Sequence, residues 1–259
     1  MIGFCLRRLA WLIITLWAVF TISFVLMRSV PGGPFGQEKA VPPEMLRNLE
    51  RRYDLDKSKW EQYWLELGRV LQGDLGYSMA IGDYSVNEVI RQGLPISAAL
   101  GILALTFAVA LGLTTGVVSA AYRGGVADLS LRLAATVGIA LPNFVVAGIC
   151  LLLFVFWIPL FPAAGWGGWR QLALPAFCLG APFAAEVARI SRTSMLDALS
   201  HDSIRTAQAK GAGQARVLLV HALRNALLPV VSFLGPAAAG VLTGSLVVEQ
   251  IFAIPGLGV

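Results

Sequence analysis

The chain has 259 residues, 57% of them hydrophobic and only 14% charged. A soluble domain carries about a quarter charged residues, so this composition, with a mean hydropathy of +0.72, excludes an ordinary soluble fold and points to an integral membrane protein. The net charge of +5 fits the Lys/Arg excess of cytoplasmic membrane loops better than a nucleic-acid surface, and no nucleic acid is expected as a partner.

Residues 9–27 (LAWLIITLWAVFTISFVLM) contain no charge, and about 20 apolar residues cross a bilayer core. The preceding Arg7 and Arg8 make a secretory signal the rival reading. The run is longer than the roughly 7–15 residues of a signal core and no small-residue cleavage site follows, so it is read as an uncleaved first span with a cytoplasmic N-terminus.

Residues 28–93 form the long polar segment, with nine Lys/Arg against ten Asp/Glu. PEMLRNLERRYDL and KWEQYWLELGRVLQ show helical spacing, GDLG reads as a turn, and YSVNEVIRQ predicts a short helix capped by Ser85. Tyr53, Trp60, Tyr63 and Trp64 are expected to pack within this segment.

A second span is expected at about 94–122. Gly112 and Gly116 lie four apart there, a spacing that lets helices approach closely in lipid. The short loop RGGVADLSLR follows. Residues 133–169 are again uncharged, and as one helix they would run about 55 Å, too long for a bilayer. The break is expected at WIPLFPAAGWGGW, giving a third span near 133–158, bent at Pro142 and Asn143, and a fourth near 170–193. Glu186, Arg189 and Arg192 recur every three residues and are expected to pair on one face and reach the headgroups. The fifth span is read at 225–248, with Glu249 at its outer end. Loop 123–132 and region 186–224 are basic, the latter with six cations against three acids, which places both in the cytoplasm. Residues 28–93 and the end of the chain are then outside.

The cytoplasmic region 194–224 is long for a simple connection. Asp202 or Ser203 is expected to cap a short helix, and Gly211 to stop it in the left-handed conformation. A second helix, Gln214 to Leu228, would lie on the membrane surface and bend at Pro229 into the fifth span. Ala207, Ala209, Gly211 and Gly213 make a low-profile surface for close approach by another protein, with Arg205, Lys210 and Arg216 around it. An amphipathic helix held by anionic lipid is the competing reading of the same residues.

Cys5, Cys150 and Cys178 suggest neither a disulfide framework nor a metal cluster. His201 and His221 sit beside no convergent nucleophile, and no catalytic residue is assigned. A G-x-x-x-x-G-K-[ST] phosphate loop occurs nowhere in the sequence. The span centres lack the acids or bases of an ion-coupled transporter and the paired groups of an intramembrane protease. A membrane scaffold without transport activity is the alternative from another class.

The stretch RTAQAKG…HALRNALLPV resembles the loop by which permease subunits of ABC transporters dock into their ATP-binding subunits. Arg205-Thr206-Ala207 stand at the E-A-A positions of the general motif, Gly211 at its glycine and Leu227-Leu228-Pro229 at its end. The arginine and the longer gap to the proline are typical of the dipeptide/oligopeptide branch. CLRRL, VPGGPF, LERRYDLDKSKWEQYW, GDLGYS, DYSVNEVI, ALPNFV, VARISRTSML and VEQIFAIPGLG extend the resemblance along nearly the whole chain, most like the first-type oligopeptide permease.

The resemblance implies an all-α type I importer transmembrane domain in the bacterial inner membrane, with a sixth span expected beyond Val259. It implies docking of an ATPase subunit on Asp202, Ser203, Arg205, Thr206, Ala207, Lys210, Gly211 and Gly213, with Asn143 and Glu249 as possible pathway residues. Implied partners are a second permease subunit, two ATPase subunits that hold ATP and Mg²⁺, an extracytoplasmic peptide-binding protein that uses residues 28–93 as a platform, and the lipid bilayer. This chain itself would bind no cofactor or metal and hydrolyse no ATP. Dipeptides, cell-wall peptides and nickel complexes are the alternative cargoes of related permeases.

Overall fold

The computed structural model describes residues 2–29, 54–78 and 84–258. VPGGPF, Tyr53 and all but the last two residues of the expected helix PEMLRNLERRYDL fall outside these residues. Helices dominate, and Tyr77 and Ser85 form an isolated antiparallel bridge. Two compact units divide the chain, Met1–Val89 and Ile90–Val259.

In the first unit, α1 (Ile2–Ser29) extends the expected span at both ends and exposes almost all of its apolar surface. α2 (Lys59–Leu71) starts with a capping box. The Ser58 hydroxyl accepts the Glu61 N–H at 3.3 Å, and the Glu61 carboxylate accepts the Ser58 N–H at 3.1 Å, so two orphan donors are satisfied together. The Ser58 hydroxyl also donates to the Glu61 carboxylate at 2.9 Å, and this bond, with that from the Ser58 N–H, holds the Glu61 carboxyl below the usual carboxylate range. Tyr63 is buried against α1: the Trp17 indole N–H donates to its oxygen at 2.9 Å, and its hydroxyl lies 2.9 Å from that of Thr21. The Thr21 proton goes to the Trp17 carbonyl, so Tyr63 is the donor to Thr21. Arg28 closes the pair through Glu66 at 2.7 Å.

After α2 the chain turns through Gly73 and Gly76, both at positive φ. The turn is pinned by Asn87, whose side chain accepts the Leu75 N–H at 2.9 Å and donates to the Gly73 carbonyl at 2.6 Å. Ser85 does cap a helix, exchanging hydrogen bonds with Glu88. That helix is not the separate short one expected from YSVNEVIRQ. It is α3 (Val86–Ala121), 36 residues that run on through Pro95 into the apolar stretch.

In the second unit, α4 (Val126–Ala140) begins inside the expected loop 123–132, which shrinks to a turn at Gly124 (φ +79). The third apolar run is not one helix. α5 (Asn143–Leu151), continued by a π-helical turn (Leu152–Trp157), meets α4 at 110°. Pro142 lacks an N–H and forces Leu141 into extended backbone (φ −83, ψ 128), so the α-helix cannot pass. α6 (Trp169–Ser200) outruns the expected 170–193 and packs against α4 and α5. α7 (Asp202–Ala209) and α8 (Gln214–Arg216) follow. A π-helical turn (Val217–Ala222) then leads into α9 (Leu223–Ile251), which also packs on α6. The expected helix Gln214 to Leu228 is helical throughout, with a π-helical turn inside it, and helical backbone continues through Pro229 to Ile251.

The core gathers Leu100 and Ala104 of α3, Cys178 and Leu179 of α6, and Val241, Val248, Phe252 and Ile254 of the last segment. Small residues set the spacing, as the sequence pattern implies. A Cβ at Gly112 would lie 2.6 Å from the Ala184 carbonyl oxygen, and one at Gly116 would overlap Ser191. Gly180 is the reciprocal case: its Cβ would lie 2.5 Å from the Ala104 carbonyl oxygen.

Candidate coupling knuckle

Between α6 and α7 there is one residue, His201, in extended backbone (φ −74, ψ 148). It occupies the cap position expected of Asp202 or Ser203, and its side chain makes no capping bond. Asp202 is already helical: its carbonyl accepts the Thr206 hydroxyl at 3.0 Å, and its carboxylate faces Arg205 at 3.3 Å. Both charges of that pair are open to solvent, so it adds little stability.

α7 holds on through its apolar face. Ile204 is 3% exposed and Ala207 9%, and Ile204 joins a cluster with Ala120, Met195, Ala198, Val217, Ala222 and Ala226. Ala207 thus faces inward, as the residue that lets α7 sit close to its own bundle, and not outward as a gripping surface. Asp202, Ser203, Arg205, Thr206 and Lys210 remain exposed, as do Gly211 and Gly213.

The helix ends in a Schellman motif. Ala212 N–H reaches back to the Ala207 carbonyl at 3.1 Å, and Gly211 N–H to that of Gln208 at 2.9 Å. This requires a left-handed residue, and Gly211 supplies it at φ +82. Gly213 then caps α8 with extended backbone, and the Val217 N–H bonds its carbonyl at 3.0 Å. The result is an eight-residue helix on a short bent segment, polar outside, with both ends tied to long helices.

An acid–base cluster braces the helices behind it. Asp128, buried in the first turn of α4, accepts from the Ser119 hydroxyl (2.6 Å), the Gly124 N–H (2.9 Å) and both Arg192 nitrogens, Nε at 2.7 Å and Nη2 at 2.8 Å. Arg192 is therefore turned inward to Asp128, while Arg189 alone pairs with Glu186. Sequence reasoning did not single out Asp128. It is the one acid in the otherwise basic RGGVADLSLR stretch, and Arg132 four residues on is the cation at helical spacing, so local pattern gives no sign of its pairing with Arg192, 64 residues away.

The possible pathway residues lie elsewhere. Asn143 opens α5, half-buried behind Pro142. Glu249 is fully buried, so it is not an interfacial anchor. Its Oε2 accepts the Gly258 N–H at 2.8 Å, and the Ser97 hydroxyl oxygen beside it accepts the Leu257 N–H at 2.9 Å. Together they fold the IPGLG segment back on α3.

Apolar helices of spanning length, a broken third span and an exposed polar knuckle between the last two long helices define a multi-span membrane component. A family model for the inner membrane component of binding-protein-dependent transport systems matches residues 112–259, which include the brace and the knuckle. The oligopeptide transport system permease proteins OppB of Haemophilus influenzae and Escherichia coli K12 are 42% and 41% identical to the chain across its full length and 85% of theirs. The dipeptide transport system permease protein DppB of Bacillus subtilis is 39% identical, again across the whole chain and 84% of its own length. The chain belongs to this family of inner-membrane transport components.

Proposed function

We propose that this chain is the permease subunit of an ATP-driven oligopeptide importer and that α7 is the element through which a separate ATPase subunit moves it. The observation that carries this reading is the build of the knuckle: seated inward by Ile204 and Ala207, closed by Gly211, and polar outward at Asp202, Ser203, Arg205, Thr206 and Lys210. With the basic segments 123–132 and 186–224 inside, the N-terminus and α7 are cytoplasmic and residues 28–93 extracytoplasmic.

In this reading two ATPase subunits hold ATP and Mg²⁺ and close on nucleotide. They draw the knuckles of this chain and a second permease subunit together, so that the spans rock between inward- and outward-open arrangements. Arg205 and Lys210 meet acidic groups of the ATPase, and Gly211 and Gly213 keep the backbone low. An extracytoplasmic binding protein delivers the peptide onto a platform formed by 28–93. Relatives named for oligopeptide transport favour oligopeptides as cargo, and DppB at 39% identity keeps dipeptides as the second reading.

The test is Arg205→Glu with Lys210→Glu in the assembled transporter. Both side chains are exposed, so the fold should survive. Peptide uptake should fall and ATP hydrolysis should no longer respond to peptide-loaded binding protein. Unchanged uptake overturns the docking assignment. Uptake of labelled peptides of graded length separates the two cargo readings.

A further inference from the structure

We infer that α2 is an interfacial helix that lies within the lipid headgroup boundary beside α1, with its tryptophan stripe turned to the bilayer.

The inference starts from depth. α2 is fastened to the part of α1 that crosses the membrane: Tyr63 bonds Trp17 and Thr21, and its ring meets Phe20 and Phe24. All four residues belong to the uncharged run 9–27. At 1.5 Å per residue, Thr21 lies about 9 Å short of the last uncharged residue, Met27. Arg28, just beyond that run, reaches Glu66 of α2. The helix is held between these two levels, and amphipathic interfacial helices sit about 5–10 Å into the headgroup and acyl boundary.

The side chains suit that position. Trp60, Trp64, Leu67 and Leu71 recur at i, i+4, i+7 and i+11, a single stripe along α2. Trp60 is 69% exposed, Trp64 54% and Leu71 80%. Such a stripe in water is costly; at a bilayer boundary the indole rings are in their preferred medium. The charges on α2 are already occupied. Glu66 pairs with Arg28, Arg69 with Asp54 at 2.6 Å, Glu61 closes the capping box, and the Lys59 ammonium lies 3.5 Å from the Arg28 carbonyl oxygen. A helix with two Lys/Arg and two Glu, all engaged, needs no anionic lipid, so zwitterionic phospholipid suffices as the partner.

The experiment uses the full chain with Cys5, Cys150 and Cys178 replaced by alanine, reconstituted in phosphatidylethanolamine–phosphatidylcholine vesicles. A nitroxide is placed at Trp64→Cys, at Leu71→Cys and, for comparison, at Glu61→Cys. Power saturation should show 64 and 71 more accessible to oxygen than to a nickel chelate, with the order reversed at 61. A nickel preference at 64 and 71 puts the stripe in water and overturns the inference. Shielding of both positions from both reagents means that protein covers the stripe and overturns it equally. Hydroxyl-radical footprinting of the unaltered chain in the same vesicles guards against misfolded variants: Trp60 and Trp64 should be oxidised several-fold less than the exposed Tyr84. Equal oxidation overturns the inference.

Discussion

Gly180→Ala tests whether α6 and α3 touch through backbone. The added Cβ would lie 2.5 Å from the Ala104 carbonyl oxygen and 3.2 Å from its carbon. Ordinary contact begins at 3.4 Å, so the helices must part by 3.4 − 2.5, or 0.9 Å, at a point where the obstacle is backbone and cannot rotate away. Overpacking of this kind costs about 1–3 kcal/mol. At about 2–4 °C per kcal/mol for a unit of this size, the melting temperature in detergent should fall by about 2–12 °C. Gly148→Ala is the control: it is also helical, but its Cβ meets nothing within 4 Å. There the helix propensity gain of about 1 kcal/mol should appear unopposed. If Gly180→Ala melts at or above the control, the close approach of α6 and α3 is wrong.

Gly211→Val should cost about 1–3 kcal/mol, because a β-branched residue is strained at φ +82, while Gly211→Asn should cost less; hydrogen exchange at the Ala212 amide reads the difference. Tyr63→Phe removes the bridge between Trp17 and Thr21 and should loosen α2 by about 1–3 kcal/mol, seen as faster proteolysis within 54–78 while α3–α9 stay protected. The Glu61 carboxyl is held below its usual range, so its contribution is present above the unfolded carboxylate value and is lost as pH falls through the lower folded value. Acidification should therefore weaken α2 helicity in the wild type and leave Glu61→Gln nearly flat. Asp128→Ala should free Arg192 and the Gly124 amide, and exchange at Gly124 should rise while Gly73, in a turn of the other unit, is unchanged.

The spans were legible because lipid demands long uncharged runs, and the Gly112/Gly116 spacing and the left-handed stop at Gly211 follow from sterics that a sequence carries on its face. Two errors share a cause: helix limits were drawn at charges. Val86–Gly93 was drawn as part of a separate short helix and Val126–Arg132 as loop, yet both belong to the long helices that follow, since a helix can leave the apolar layer without stopping. Pro229 lies inside continuous helical backbone, whereas Pro142 follows extended Leu141 and does break the span. The inward turns of Ile204 and Arg192 depend on partners far along the chain, Ala120 and Asp128, and no local period reports such pairings.

The joint at His201 has a mechanical consequence. With one residue between α6 and α7, that side of the knuckle has little slack, whereas Lys210–Gly213 separate α7 from α8 on the other. If α7 is pushed as proposed, its displacement would be handed on first to α6. Lengthening the joint at His201 by two or three glycines would then turn the same stroke into lost motion.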